Sequence, residues 1–216
     1  MNSGKTSFQL RLLLIILILW TWAPPTAPAA EQDDVVYQAL VQRVKDGDLT
    51  VDFRALRLAC MKASHCEPRG SLADLVAMDV TDLHKVAEVS ERLIEEGFVN
   101  LEAHATAGGA YARLNEPQKA QIHFAITLAL MRSIMSRSDG KTEETAYEVI
   151  GDREEYAVLS ALGLPYAPPE ARVTHMSDGP HRYEKWDVRN PKTGQTVVVF
   201  FNIDAFLPNK SYPRDK

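Results

Sequence analysis

Two histidines and a stretch of acids are the residues of this chain best suited to acid–base or metal chemistry. His104 and His123 stand on consecutive predicted helices, and residues 138–156 are rich in carboxylates. Imidazole and carboxylate groups are the usual general acids and bases, and two histidines with a third ligand could hold a metal ion. Asp139 and Glu155 are the candidates for that third position. A metal-dependent or other hydrolase that uses these residues is one interpretation of the sequence.

The spacing of these residues favours a second, non-catalytic interpretation. There is no HExxH or GxSxG pattern, and the adjacent Glu154 and Glu155 cannot face each other as a catalytic pair must. Counting around Gly140 puts non-ligating residues where an EF-hand loop needs oxygen atoms. We therefore predict no catalytic residue, no metal ligand and no cofactor. His104 is predicted to lie in the core, and His123 at the edge of a groove.

The acidic stretch is also explained by ordinary turn and helix-end chemistry. Asp139-Gly140 predicts a turn, Thr142 is predicted to cap a short helix, and Asp152 with Glu155 resembles a capping box for the next helix. A long acidic loop beside a groove is equally a place where binding residues occur. The stretch is therefore either a well-capped connection or part of a binding surface.

Helices must position these side chains. The periodicity predicts helices over residues 33–46, from Asp52, from Ser71 and over residues 83–96. A helix capped by Asn100 follows, and the turn LNEP joins it to another that begins near Pro117. The first two thirds of the chain are thus predicted to be helical.

The last two of these helices resemble a tetratricopeptide repeat. Gly108 and Tyr111 stand three apart, Ala120 comes nine residues later and Phe124 four after that, as in the repeat. Gly108 is predicted to pack closely against Ala120 because neither has a bulky side chain. His104, which replaces the tryptophan of the repeat, should then lie near Phe124, with the second histidine within reach.

The C-terminal third is predicted to be β-structure. The segments RVTHMS, RYEKWDV and TVVVFFNI are rich in β-branched and aromatic residues, and the turns DGPH and RNPKTGQ separate them. VVVFF, which is apolar on both faces, is predicted to be a central strand covered by a helix. The predicted fold class is α+β, a tetratricopeptide-like helical bundle followed by a C-terminal three-stranded antiparallel β-meander.

The first 29 residues have the order of a secretory signal peptide. Basic Lys5 and Arg11 precede the apolar run 12–22, and Ala27-Pro28-Ala29 offers a cleavage site. The run is shorter than the roughly 20 residues that span a membrane. We expect an exported protein, periplasmic or extracellular, without a stable membrane anchor. Residues 30–216 then form one domain, with a helical part (30–165), a meander (170–207) and a tail (208–216).

Charge and cysteine content limit the partners and the compartment. Without Lys5 and Arg11, 22 of the 24 basic residues remain against 29 acidic ones, a formal charge of −7. No basic block remains, so nucleic acid is a poor partner. In an oxidising compartment Cys60 and Cys66 are a disulfide candidate, provided that the helix ends near residues 63–65.

Four segments together resemble a bacterial family described as a domain of unknown function, DUF4919. They are VDFRALRLA, HATAGGAY with KAQIHF, SDGKTEETAYEVIGDREEY and VVVFFNID, within residues 35–207. The resemblance implies no activity or cofactor. It does imply a disulfide, since Cys60 and Cys66 jointly replace the family's usual aromatic residues.

The recurrent segments of that family indicate where a ligand or partner would bind. They include the following residues of this chain: His104, His123, Asp139, Lys141, Glu154, Glu155 and Tyr156. The predicted function is a non-catalytic, exported binding or scaffolding module. Its partner is a protein or a small ligand.

Overall fold

A computed structural model describes residues 29–64, 66, 81–165 and 170–205 of the protein. Residues 1–28 of the predicted signal segment, the predicted short helix from Ser71 and the tail 208–216 lie outside the described residues. In the described residues no helix is long and apolar enough to cross a membrane.

The described part of the chain contains six helices, in the order and nearly with the bounds that the periodicity predicts. They are α1 (Ala29–Lys45), α2 (Phe53–Lys62), α3 (Leu83–Glu96), α4 (Leu101–Arg113), α5 (Pro117–Met135) and α6 (Asp152–Ala161). The carboxylate of Asp52 accepts hydrogen bonds from the first turn of α2, and Asn100 does the same for α4. Pro117 is the first residue of α5, where its missing N–H costs nothing.

Helices α3, α4 and α5 pack in sequence order because the connections between them are short. Ala103, Ala107 and Ala110 are buried along α4, and their small side chains let its neighbours approach. A β-carbon built on Gly108 would lie 2.7 Å from Cε1 of Phe124. The close approach at Gly108 is thus to the Phe124 ring, and not to Ala120 as predicted.

The prediction of a three-stranded antiparallel sheet is wrong in strand number and in the orientation of one pair. The sheet has four strands in the order β1-β4-β3-β2: β1 (Tyr147–Glu148), β2 (Arg172–Asp178), β3 (His181–Arg189) and β4 (Thr196–Asn202). Strands β2, β3 and β4 are antiparallel neighbours joined by the predicted turns, whereas β1 pairs with β4 in parallel. The prediction that VVVFF forms an interior strand is confirmed.

Two predictions for the acidic stretch are also wrong. Thr142 caps no helix, because residues 138–146 form a loop in which Thr142 and Thr145 bond each other. Helix α6 begins at Asp152 itself, and the residue before it, Gly151, supplies no side-chain cap. Thr142 has the sequence pattern of a helix cap, but the loop that contains it leads into strand β1 and not into a helix.

Cys60 and Cys66 form a disulfide, with Cα atoms 5.3 Å apart. The bridge is possible because α2 ends at Lys62 and Ala63 is extended, as the sequence predicted. The hydroxyl of Tyr37 in α1 lies 3.1 Å from Cys66 Sγ. The same hydroxyl accepts a hydrogen bond from the Phe98 N–H. The disulfide therefore joins the end of α2 to α1 and to the α3–α4 connection.

The buried residues form two clusters. One lies among α1 to α5, and the other lies between α6, the end of α5 and one face of the sheet. Met61 and Leu101 contact both clusters. The helical and β parts are consequently continuous in their packing.

Candidate functional site

The two histidines meet, as the sequence predicted. His104 Nδ1 lies 3.1 Å from His123 Nδ1, and His104 Nε2 lies 2.9 Å from the carbonyl oxygen of Phe98. At the other end, His123 Nε2 lies 3.1 Å from a carboxylate oxygen of Glu91, which also accepts a hydrogen bond from Tyr111. We call the series Phe98 O, His104, His123 and Glu91 the histidine chain.

The packing of two helices positions the histidine chain. His104 lies on the buried face of α4 and His123 on the facing side of α5, so the packing of α4 against α5 sets their distance. The side chain of His123 is 10% exposed and that of Glu91 is 40% exposed. The histidine chain thus extends from the buried Phe98 carbonyl group to the Glu91 carboxylate, which reaches solvent.

Hydrogen-bond counting assigns the protons. A carbonyl oxygen only accepts, so His104 donates from Nε2 and its Nδ1 accepts from His123 Nδ1. All bonds are then satisfied when His123 also carries a proton on Nε2 and faces an ionised Glu91. The arrangement thus has a neutral ring at its inner end and the carboxylate of Glu91 at its outer end.

The pKa shifts agree with this assignment. Burial lowers the pKa of His104 to about 4, which keeps its ring neutral at ordinary pH. The hydrogen bond from His123 lowers the pKa of Glu91. Burial raises the pKa of Tyr111 to about 12, so its hydroxyl remains a donor.

A metal ion does not suit this geometry. Glu91 faces the nitrogen of His123 that points away from His104, so the three groups form a line and do not surround a point. Among the described residues no three His, Cys, Asp or Glu side chains are arranged to hold a metal. Asp139 follows the end of α5, and His123 is twelve residues before that end, about 18 Å along the axis.

The loop over residues 138–146 is an ordered connection. Asp139 accepts hydrogen bonds from the Lys141 backbone and from Thr145, and its other oxygen pairs with the Lys141 ammonium group at 2.8 Å. Gly140 has a positive φ of 66° and lies under the ring of Tyr147, where no side chain fits. Of the two interpretations of the acidic stretch, the contacts within this loop are those of a connection.

Glu154 forms a buried ion pair with Arg57, a residue that the sequence analysis did not single out. Both side chains are nearly inaccessible to solvent, and the guanidinium group of Arg57 meets both carboxylate oxygens. Arg57 also donates to the carbonyl oxygen of Glu148 in β1, and Glu154 accepts from the Ile150 N–H. The sequence signal was an arginine at a core position of α2, which requires a buried acid somewhere in the fold.

The structure divides the seven predicted surface residues among three places. His104 and His123 belong to the histidine chain, Asp139 and Lys141 to the loop, and the remaining three to α6. His104, Glu154 and Glu155 are buried, and Tyr156 packs edge-on against Trp186 with ring centroids 5.8 Å apart. Asp139 and Lys141 are the two that remain exposed.

An open groove lies elsewhere, between the start of α2 and the C-terminal half of α5. Its volume is about 440 Å³. It is lined by Leu49, Val51, Asp52, Phe53, Arg54, Ala125, Leu128, Ala129, Arg132, Ser133, Ser136 and Arg137. Leu128 is 50% exposed and Leu49 46%, which is high for large apolar side chains. A second cavity, beside the start of α6, has room for about one water molecule at about 20 Å³.

The sequence analysis placed a groove beside His123, on α5. The observed groove does lie against α5, but on the face that carries Ala125 and Leu128. His123 points to the opposite side, into the helical core. Leu49 and Leu128 were not singled out, because a sequence does not show which leucines are exposed and single exposed leucines are common on protein surfaces.

Comparison with known families supports the resemblance seen in the sequence. The family described as "Domain of unknown function (DUF4919)" matches residues 30–207. No curated protein and no solved structure matches the chain. Since the family match covers nearly the whole of the described residues, the chain belongs to the DUF4919 family.

Proposed function

We propose that this protein is an exported, non-catalytic binding module, and that its ligand occupies the groove between α2 and α5. The observation that carries the proposal is the groove itself. Its volume of about 440 Å³ is in the range of ligand sites, and its lining combines apolar side chains with three arginines and one carboxylate. Exposed apolar residues that line a concave surface mark a binding site more often than scattered ones do.

The helical architecture favours binding as well. Tetratricopeptide repeats pair antiparallel helices through small residues, and the consecutive helices α4 and α5 bury the small residues Ala107 and Ala120. Repeat-type helical pairs present rigid grooves to peptides. We therefore interpret α3, α4 and α5 as a scaffold of tetratricopeptide-like type that fixes the shape of the groove wall.

The histidine chain supports a non-catalytic function. A general base needs a lone pair that faces a substrate, but each of the four ring nitrogens faces a protein partner. The inner histidine is 1% exposed, so no substrate atom reaches it. A hydrolase that uses His104 and His123 with Asp139 or Glu155 is therefore the less favoured function.

Export is supported by two observations. The disulfide between Cys60 and Cys66 is typical of oxidising compartments. The family match begins at residue 30, directly after the predicted cleavage site. We infer a bacterial protein that acts in the periplasm or outside the cell.

Selection from a peptide library tests the binding function. Residues 30–216 with the disulfide intact would be immobilised and presented with random capped peptides. We expect enrichment of one class of peptides, and we expect the Leu128→Asp variant to lose that enrichment, because a carboxylate in the groove lining opposes apolar contacts. Val35→Asp is the matched control, since Val35 is 59% exposed on α1 and does not line the groove. Failure to enrich any peptide, or equal loss with both variants, would contradict the proposal.

Export has its own test. The full-length chain would be expressed in a bacterium and recovered from the periplasmic fraction. We expect an N-terminal sequence that begins near Ala30 and no free thiol in denatured, unreduced protein. Retention of Met1, or two titratable thiols, would refute the export proposal and leave the groove proposal unaffected.

A further inference from the structure

The groove between α2 and α5 carries unneutralised positive charge. Three arginines line it, and Arg54 is paired with Glu148 at 2.6 Å. Within the described ranges, the side chains of Arg132 and Arg137 have no hydrogen-bond or ion-pair partner. The single carboxylate of the groove, Asp52, already caps α2 by accepting from two backbone N–H groups. Two guanidinium groups are thus available to a ligand in a protein whose overall charge is negative.

The shape of the groove favours an extended peptide. From Ala125 to the end of α5 at Met135 the helix rises about 15 Å, which is the length of about five residues of extended chain. Each wall contributes an exposed apolar side chain, Leu49 on one and Leu128 on the other. Arg132 and Arg137 lie towards one end, at and beyond the last turns of α5. The groove therefore offers apolar contacts on both walls and positive charge towards the C-terminal end of α5.

We propose that the groove binds an acidic peptide segment of about five residues, whose apolar side chains contact Leu49 and Leu128 and whose carboxylates pair with Arg132 and Arg137. This inference rests on the proposed function and adds the chemistry of its ligand. Arginine is well suited to the task because its planar guanidinium group matches a carboxylate with two hydrogen bonds. Exposed pairs of this kind weaken as salt rises, so binding is salt-dependent.

Fluorescence anisotropy with two labelled probes tests the inference. One probe is an amidated hexapeptide of alternating glutamate and leucine, and the other has glutamine in place of glutamate. We expect the glutamate probe to bind the mature, oxidised protein and the glutamine probe to bind about tenfold more weakly. The double variant R132Q/R137Q should lose most of that difference. Raising the salt concentration should weaken only the glutamate probe.

Arg113→Gln is the matched control, because Arg113 is an exposed arginine at the end of α4 and does not line the groove. It should change neither affinity by more than about twofold. Equal binding of the two probes, or an equal effect of R113Q and R132Q/R137Q, would overturn the inference while leaving a binding module in place. Absence of binding by both probes would overturn the inference too, and the library selection then decides the proposed function separately.

Discussion

The protein buries two polar networks that join distant segments, and they differ in the kind of charge they contain. The Arg57–Glu154 ion pair connects α2 to α6 and, through the Glu148 carbonyl group, to β1. The histidine chain connects α3, α4 and α5 and ends at the surface in Glu91. The first contains a permanent cation, whereas the second contains a buried imidazole whose charge depends on pH, since burial lowers the pKa of His104 to about 4.

This difference indicates different roles in stability. A guanidinium group keeps its charge at any pH that the protein meets, so Arg57 requires Glu154 at all times. The histidine chain has a neutral inner ring whose burial is favourable only while it stays unprotonated. One network therefore fixes the packing of helices against the sheet, and the other makes the packing of α4 against α5 sensitive to acid.

The largest expected effect is that of breaking the buried ion pair. Glu154→Ala leaves the charge of Arg57 buried and unpaired and removes the acceptor of the Ile150 N–H. We expect a loss of about 3–5 kcal/mol in the free energy of unfolding, measured by urea denaturation of residues 30–216. Glu96→Ala, which removes an exposed pair with Arg92, should cost less than about 1 kcal/mol. Similar losses of unfolding free energy in the two variants would show that the buried pair contributes no more to stability than an exposed one.

The next effect is the pH dependence of the histidine chain. The pKa of His104 is lowered to about 4 in the folded protein by burial, against about 6.5 in an unfolded chain. Below pH 6.5 the unfolded chain binds a proton that the folded protein does not, so stability falls as the pH drops towards 4. The full loss is up to about 3 kcal/mol. The pKa of Glu91 is also lowered, and protonation of Glu91 adds a further loss at still lower pH.

His104→Gln isolates this contribution. A glutamine amide can donate to the Phe98 carbonyl group and accept from His123, but it does not titrate. Urea unfolding between pH 7 and pH 4 should therefore show a shallower decline for His104→Gln than for the wild type. His84→Gln, at an exposed position of α3, is the control and should change the decline much less than His104→Gln does. Parallel pH profiles for wild type and His104→Gln would contradict the assignment of a neutral, buried ring.

The smallest effect concerns the contact between α4 and α5 that supports the histidine chain. Gly108→Val places a branched side chain against the Phe124 ring, which is 47% exposed and can rotate outwards. We expect a loss of about 1 kcal/mol, at the low end for overpacking. Gly109 has no atom within 4 Å of a built β-carbon, so Gly109→Val should be neutral or slightly stabilising. Paired thermal melts measure both, and a larger loss at Gly109 would contradict the observed packing.

The predictable features of this fold depend on nearby residues. The caps Asp52 and Asn100, Pro117 at the start of α5 and the meeting of the two histidines all follow from signals within about 25 residues of sequence. In each case helix geometry and a short turn are enough to fix which side chains meet. The family resemblance was assigned to residues 35–207, and the family model matches residues 30–207.

The missed features are those that join distant segments. Strand β1 has only two residues, Tyr147 and Glu148, so it has no alternation to detect, and its partner strand begins at Thr196. Glu154 was interpreted as a surface residue because its partner, Arg57, is 97 residues away. The groove was placed on the wrong side of α5 because its second wall, near Leu49 and Phe53, comes from a segment about 70 residues earlier. A local pattern does not contain this information.

The segment 138–149 receives backbone partners from β4, which is synthesised about 50 residues later. Gly140 accepts from the Phe200 N–H, and Val149 donates to the Asn202 carbonyl group. A ribosome releases the helical hairpins first, and their contacts between sequence neighbours form early. Residues 138–149 remain without these backbone partners until β4, the last described strand, has been synthesised. A chain that ends before Thr196 would keep its local helix pairs and the bonds within the acidic loop, but Tyr147, Gly140 and Val149 would lack their β4 partners, and we expect proteases to cut this segment.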